Sequence, residues 1–465
     1  MLFSTSVFLF GFLPLVLVVY YTLLRRFRVL QNIFLTIASL FFYAWGEPRF
    51  VVVMIGSIIG NWVFALWIDK VRENKKQVRL AMTLMVAANL SILFIYKYLT
   101  FTLKNINLLF GSNILIPTII LPIGISFFTF QAMSYVIDVY RKDGMPQKNP
   151  LNVALYVAFF PQLIAGPIVR YETVAEQIQN RTETFEGFSE GVSRFMVGFI
   201  KKMLLANTLA VVADKAFAAE NPSVLFAWLG ALAYTFQIYY DFSGYSDMGI
   251  GMGKMFGFHF LENFNFPYIA RSITEFWRRW HMSLGTWFRD YVYFPLGGSR
   301  VEGKGRLVLN LFIVWFLTGV WHGANWTFLV WGLMYFFLIT IEKLTGFDKK
   351  IGFFGHIYTL FFVIAGWVVF KAESLTAAVT YFKNMLGMNS NGLTDINSFF
   401  YLKENIYFYI AALIFSFPIA GFISKKLEGN KYADIAYPIV ITTFFLIAVS
   451  YAIKGSYNPF IYFNF

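Results

Sequence analysis

Long apolar runs recur along almost the whole chain, separated by short polar or basic stretches. A helix needs about 20 apolar residues to cross the hydrocarbon of a bilayer. On that measure the pattern predicts spans near residues 4–24, 29–45, 50–68, 80–97, 114–139, 196–218, 224–241, 306–321, 325–342, 354–372, 405–422 and 434–453. This is the signature of an all-α, polytopic membrane protein, with about 11–12 transmembrane helices in a single integral-membrane domain over residues 1–465. No linker or polar domain interrupts it. The longest polar insert, Glu373–Asn405, carries Asn389, Ser390, Asn391 and Gly392 and reads as a surface loop with a short helix. The N-terminal run Val7–Leu24 follows no positive leader, so it is expected to be a retained helix and not a cleaved signal.

Two regions depart from simple spans. Leu151–Ile168 is apolar but short and is broken by Pro161, Gly166 and Pro167, which predicts a re-entrant hairpin. Phe264–Arg300 is dense in rings and guanidinium groups: Phe276, Trp277, Arg278, Arg279, Trp280, His281, Trp287, Phe288 and Arg289. That mixture suits interfacial helices with rings at headgroup depth.

Composition sharpens the class. The chain is 58% hydrophobic and only 14% charged, against about 25% charged for soluble domains. The formal charge of +13 comes from Lys and Arg scattered over short loops, as in the cytoplasmic loops of membrane proteins. It does not indicate nucleic-acid binding, for which no polar domain presents a basic face. Arg25, Arg26 and Arg28 follow the first predicted span, Lys70, Arg72, Lys75, Lys76 and Arg79 the third, and Arg141, Lys142 and Lys148 the fifth. The bias places the basic loops inside and both termini outside the cell. With no cysteine, disulfides, thiolate metal sites and a cysteine nucleophile are excluded.

The candidate chemistry centres on histidine, of which the chain has four. His322, in Trp321–His322–Gly323–Ala324–Asn325–Trp326, falls between two apolar runs. An imidazole beside lipid costs several kcal/mol unless it is hydrogen-bonded or reactive. A neutral imidazole can take a hydroxyl proton near pH 7, and acyl transfer from a thioester needs such a base. Asn325, three residues on, could orient the ring or a substrate. His322 could equally be an interfacial histidine bonded to a backbone carbonyl. His281 lies on the cytoplasmic side of this topology, one span away, beside Arg278 and Arg279. These arginines suit a phosphate or an anionic headgroup. A polar cluster from Gln237 to Asp247 includes Asp241 and Ser243 at the end of an apolar span. Asp241 or Asp247 could pair with Arg278 or Arg279, or meet substrate. Gly249, Gly251 and Gly253 follow no strand, so no dinucleotide site is expected.

Five segments together resemble the membrane-bound O-acyltransferase family, in its alginate O-acetyltransferase-like bacterial branch. They are Leu121–Phe128, Phe160–Ile168, Asp241–Asp247, Phe276–His281 and Trp321–Gly323, in that order. The resemblance implies a ring of tilted helices around a thin central region, with a funnel or tunnel entered from each face. It implies His322 as the catalytic base and His281 as its partner. It implies no bound cofactor and no metal, but acetyl-CoA or another acyl thioester as a donor from the cytoplasm. The C-terminal Pro459–Phe465, outside on this topology within an aromatic tail over residues 455–465, is similar to an acyl-relay tail, which would make Tyr462 a first acyl acceptor. A membrane anchor is the other reading of these rings.

The expected function is acetyl transfer across a bacterial cell membrane for O-acetylation of an extracellular polysaccharide, with an extracellular esterase-like protein making the last transfer. Two alternatives remain: D-alanyl transfer toward teichoic acid, and a non-catalytic export or transport subunit. A transporter tends to carry inverted repeats, and none is evident here.

Overall fold

The computed structural model describes residues 1–455 and 457–460. Among these residues every regular element is helical. Seven helices are long and apolar enough to cross a membrane, or eight if the bent pair Ile396–Phe415 and Ile419–Lys426 counts as one span. The protein is an all-α polytopic membrane protein. Its lipid-facing surface carries large exposed apolar side chains, and the Lys431–Lys454 helix has only 11% of its apolar window buried.

Contacts divide the chain into two compact units, Met1–Phe195 with Ser246–Leu261, and Met196–Tyr245 with Glu262–Phe465. In the first unit, Val51–Lys70, Lys75–Leu93 and Ile125–Arg141 pack together. The predicted hairpin at Leu151–Ile168 is two short helices, Pro150–Ala158 and Phe160–Leu163, broken at Phe159 and buried throughout Leu155–Val169. Arg28 bridges Glu183 and the carbonyl of Arg181 in the same unit.

Three sequence expectations change. The first half of the span expected at 114–139 is not helical; the helix begins at Ile125. Pro117 and Pro122 remove backbone donors and restrict the residues before them, so apolarity alone cannot sustain a helix there. The polar cluster at Gln237–Asp247 does not end a helix. It lies inside one of 32 residues, Val224–Met255. The aromatic region after Phe264 folds into Ile273–Arg279 and Met282–Phe288, whose Phe276, Trp280, Trp287 and Phe288 are buried in protein and not presented at its surface.

The core of the second unit is a cluster of rings. Trp277 meets Trp315 at 5.1 Å and Trp331 at 5.4 Å, and Trp280 meets Trp367 at 4.8 Å. Such pairs add about 0.5–1.5 kcal/mol each beyond their buried area. Its tightest helix pair is Lys304–His322 against Trp326–Thr345. Gly319 and Gly332 allow it: a Cβ on Gly332 would stand 2.6 Å from the Trp315 carbonyl and 3.0 Å from Gly319 Cα. Both obstacles are backbone, so Gly332→Ala must part the helices. Overpacking of this kind costs about 1–3 kcal/mol. A lower thermal midpoint of the detergent-solubilised protein is the expected result, and an unchanged midpoint would show that the helices yield without cost.

Candidate functional site

The Lys304–His322 helix places His322 at its last turn and stops at Gly323. A side chain at 323 would collide with the Phe328 ring, 2.3 Å from the added Cβ, so glycine lets that ring pack against the turn. His322 is buried and packs edge-on against Trp321 at 5.0 Å, Trp331 at 4.8 Å and Phe370 at 5.2 Å. Rings on three sides enclose the imidazole and set its plane.

His281 sits between two short helices in left-handed backbone, φ 44°. A non-glycine residue holds that conformation at a cost of order 1–3 kcal/mol. Asn263 holds it there. The Asn263 Oδ1 accepts from Ser283 N at 3.2 Å and Ser283 Oγ at 2.9 Å, and lies 3.1 Å from His281 Nδ1. Met282 N donates to the Asn263 carbonyl at 2.9 Å. The Ser283 amide fixes which end of the Asn263 side chain is oxygen. His281 Nδ1 therefore carries the proton and Nε2 keeps the lone pair. Burial drives the His281 imidazole down to about 3, so it is neutral in any physiological range.

Trp321 joins the two histidines. Its ring is 6.0 Å from His281 and 5.0 Å from His322. The other wall of His281 is Phe242, edge-on at 4.6 Å. The structure thus brings His281, Trp321 and His322 into one buried site.

The other expected residues are placed differently. Asn325 is not on the helix of His322; it caps the next one, accepting from Thr327 N at 3.1 Å and donating to the Glu373 carbonyl at 3.0 Å. Asp241 does not pair with either arginine: it forms a buried ion pair with Lys202 at 2.6 Å. Asp247 pairs with Arg194 at 2.9 Å. The two carboxylates lie six residues apart on an unbroken helix, so they face different neighbours. Arg279 is engaged by Glu275 at 2.9 Å and the Asn265 carbonyl at 3.1 Å, whereas Arg278 is exposed. Ser243 is buried, and its hydroxyl has no hydrogen-bond partner among the described residues. Tyr462 lies outside the described residues.

A cavity of about 820 Å³ is bounded by Asn325, Thr327, Phe370, Lys371, Gln237 and Pro459, and not by His322 itself. Phe370 is both its wall and a packing partner of the His322 ring. Gln237 Oε1 and Thr327 Oγ1 are buried and have no hydrogen-bond partner among the described residues.

Sequence reasoning missed Asn263 and Lys202. Asn263 carries no motif of its own in Leu261–Glu262–Asn263–Phe264–Asn265. Lys202 had a signal: a lysine inside the span predicted at 196–218 is costly unless paired.

Residues 145–378 match the membrane-bound O-acyltransferase family. The chain is 41% identical to a probable alginate O-acetylase of Pseudomonas putida, over all of both chains. It is 32% identical to a peptidoglycan O-acetyltransferase of Helicobacter pylori, over 100% of this chain and 98% of that one. A teichoic acid D-alanyltransferase of Bacillus subtilis is 31% identical over 47% of this chain and 58% of its own.

Proposed function

Because the chain belongs to the membrane-bound O-acyltransferase family, we propose that this O-acyltransferase moves an acetyl group from a cytoplasmic thioester, for O-acetylation of a polysaccharide outside a bacterial cell membrane. The observation that carries the reading is the pair of buried histidines sharing Trp321, in a chain similar over its full length to a probable alginate O-acetylase.

Neutral His322 is the general base. It takes the proton of an attacking hydroxyl, the hydroxyl oxygen bonds to the thioester carbonyl carbon, and the C–S bond breaks. The sulfur then takes the proton and leaves as thiol. General-base assistance of this kind is worth about 10²–10⁴-fold. His281 offers its Nε2 lone pair from the other side of Trp321. Exposed Arg278 meets a donor phosphate; Arg279 steadies that helix through Glu275. The donor is acetyl-CoA, or a carrier-borne thioester with the same phosphopantetheine arm. Tyr462 is the first acceptor hydroxyl. Its phenol, with an ordinary pKa of about 10, needs a base such as His322. The resulting aryl ester passes its acetyl group to the polymer through a separate extracellular esterase-like transferase. Both termini are extracytoplasmic in this scheme.

Comparing the exported polymer with and without the gene tests the reading. Loss of alkali-labile acetate without the gene is expected. Unchanged acetate would overturn it, and loss of ester-linked D-alanine in its place would favour the second reading, to which the half-length similarity to a D-alanyltransferase points.

A further inference from the structure

The last described residues, 457–460, follow the Lys431–Lys454 helix and are not spread over its surface. Each meets a different group. The Tyr457 hydroxyl bonds Asp214, which Lys371 also holds at 2.6 Å. Asn207 Nδ2 donates to Asn458 Oδ1 at 3.2 Å. Lys202 Nζ donates to the Pro459 carbonyl. Phe460 is buried against Tyr245 with ring centroids 4.7 Å apart, and the Lys202 ammonium lies 5.8 Å from its ring.

Asp214, Asn207 and Lys202 lie on one continuous helix, Phe185–Ala218. At 1.5 Å per residue they descend by roughly 10 Å and then roughly 8 Å. Asp214 is near the helix end and Lys202 near its middle. The stretch Lys201–Ala206 is π-helical. There the Asn207 amide donates to the Lys202 carbonyl five residues back, which holds Lys202 closer to the Asn207 face. A regular α-helix would turn it aside. The tail therefore runs along a polar stripe from near one end of a long apolar helix to its middle. An aromatic surface anchor would stop at the headgroups.

We propose that Asp214, Asn207, Lys202 and Asp241 form an intramembrane binding site for the chain's own C-terminal segment. Its anchor is the buried Lys202–Asp241 pair. A lysine buried this deeply needs several acceptors; Asp241 supplies one and the Pro459 backbone supplies another. Any residue can offer that carbonyl, so the site reads the path of the tail through its backbone, while Tyr457, Asn458 and Phe460 set the register. Phe242, the residue after Asp241, touches His281. The pair thus ties the tail to the helix that walls the histidine site, and Lys202 and Asp241 are positioning residues. That functional consequence rests on the relay proposed above; the binding site itself does not.

The chain has no cysteine, so an introduced pair reports cleanly. In membranes, Asn207→Cys with Asn458→Cys should cross-link through a short bis-methanethiosulfonate reagent. Adding Lys202→Met and Asp241→Asn, which removes both charges at similar volume and so leaves no lone buried ion, should lower the yield at least tenfold. Absence of the cross-link overturns the site. An equal yield in the quadruple variant overturns the role of the ion pair. Tyr462→Phe separates the two ideas: the cross-link persists, and acetylation is lost if the relay holds. Acetylation retained beside an intact cross-link sinks the relay and leaves the tail site standing.

Discussion

His322→Ala lowers polymer acetylation by about 10²–10⁴-fold, the usual worth of a general base, with the protein still inserted at normal abundance. The imidazole is enclosed by Trp321, Trp331 and Phe370, and water cannot readily replace it as a proton acceptor in that ring cage. Truncation also leaves a hole, so His322→Gln, which fills more of the space without a titratable nitrogen, should be nearly as inactive. The check is ester-linked acetate on the polymer, normalised to membrane-inserted protein. Acetylation within twofold of the parent in either variant would remove His322 from the chemistry and leave it a packing residue.

The second large effect lies at Asn263, a residue without any chemistry of its own. Asn263→Leu strips the acceptor from His281 Nδ1, Ser283 N and Ser283 Oγ together. A buried donor left alone costs about 1–3 kcal/mol, and three share this oxygen. His281 would leave its strained backbone and activity should fall at least about 10²-fold, as for loss of an acid–base group. Asn263→Asp distinguishes positioning from mere stability. It keeps the shape and all three bonds but sets a carboxylate beside Nδ1–H, which raises the His281 pKa from about 3 toward the ordinary value near 6.5. Protonated, Nε2 becomes a donor and cannot accept. Activity should therefore gain an acid limb, falling as pH drops through the raised value, while the parent has no such limb from this residue. Because the folded-state value rises only toward the ordinary one, protonation gives the fold no net gain at low pH; relative to the parent, the variant should lose less stability as pH falls below about 6.5, and that difference vanishes as pH rises through the raised value. A pH–activity profile identical to the parent would show that the state of His281 does not govern turnover.

Much of this protein was legible in its residues. The hydropathy runs predicted Val51–Lys70, Lys304–His322, Trp326–Thr345, Phe354–Lys371 and Lys431–Lys454 to within a few residues. The motif order from Leu121 to Gly323 marked the family, and the similarity to a probable alginate O-acetylase agrees. Where local backbone rules opposed apolarity, the reading failed: Pro117 and Pro122 keep the start of 114–139 out of a helix. It failed again where a helix tolerated polar residues because protein pairs them, as Lys202 pairs with Asp241 inside Val224–Met255.

The sequence by itself determined that this chain lives in a membrane, roughly where it crosses, and which histidines to suspect. Those are local properties: hydrocarbon demands a minimum apolar length, and motifs are contiguous. Only the tertiary structure decided that Trp321 stands between His281 and His322, that Asn263 sets the tautomer of His281, and that Lys202 holds the tail. Each of these joins residues that are distant in the chain or on facing helices. Packing chooses such neighbours through ring shape, small-residue contacts such as Gly319 on Gly332, and the need to pair every buried charge. None of these leaves a periodic trace along the chain.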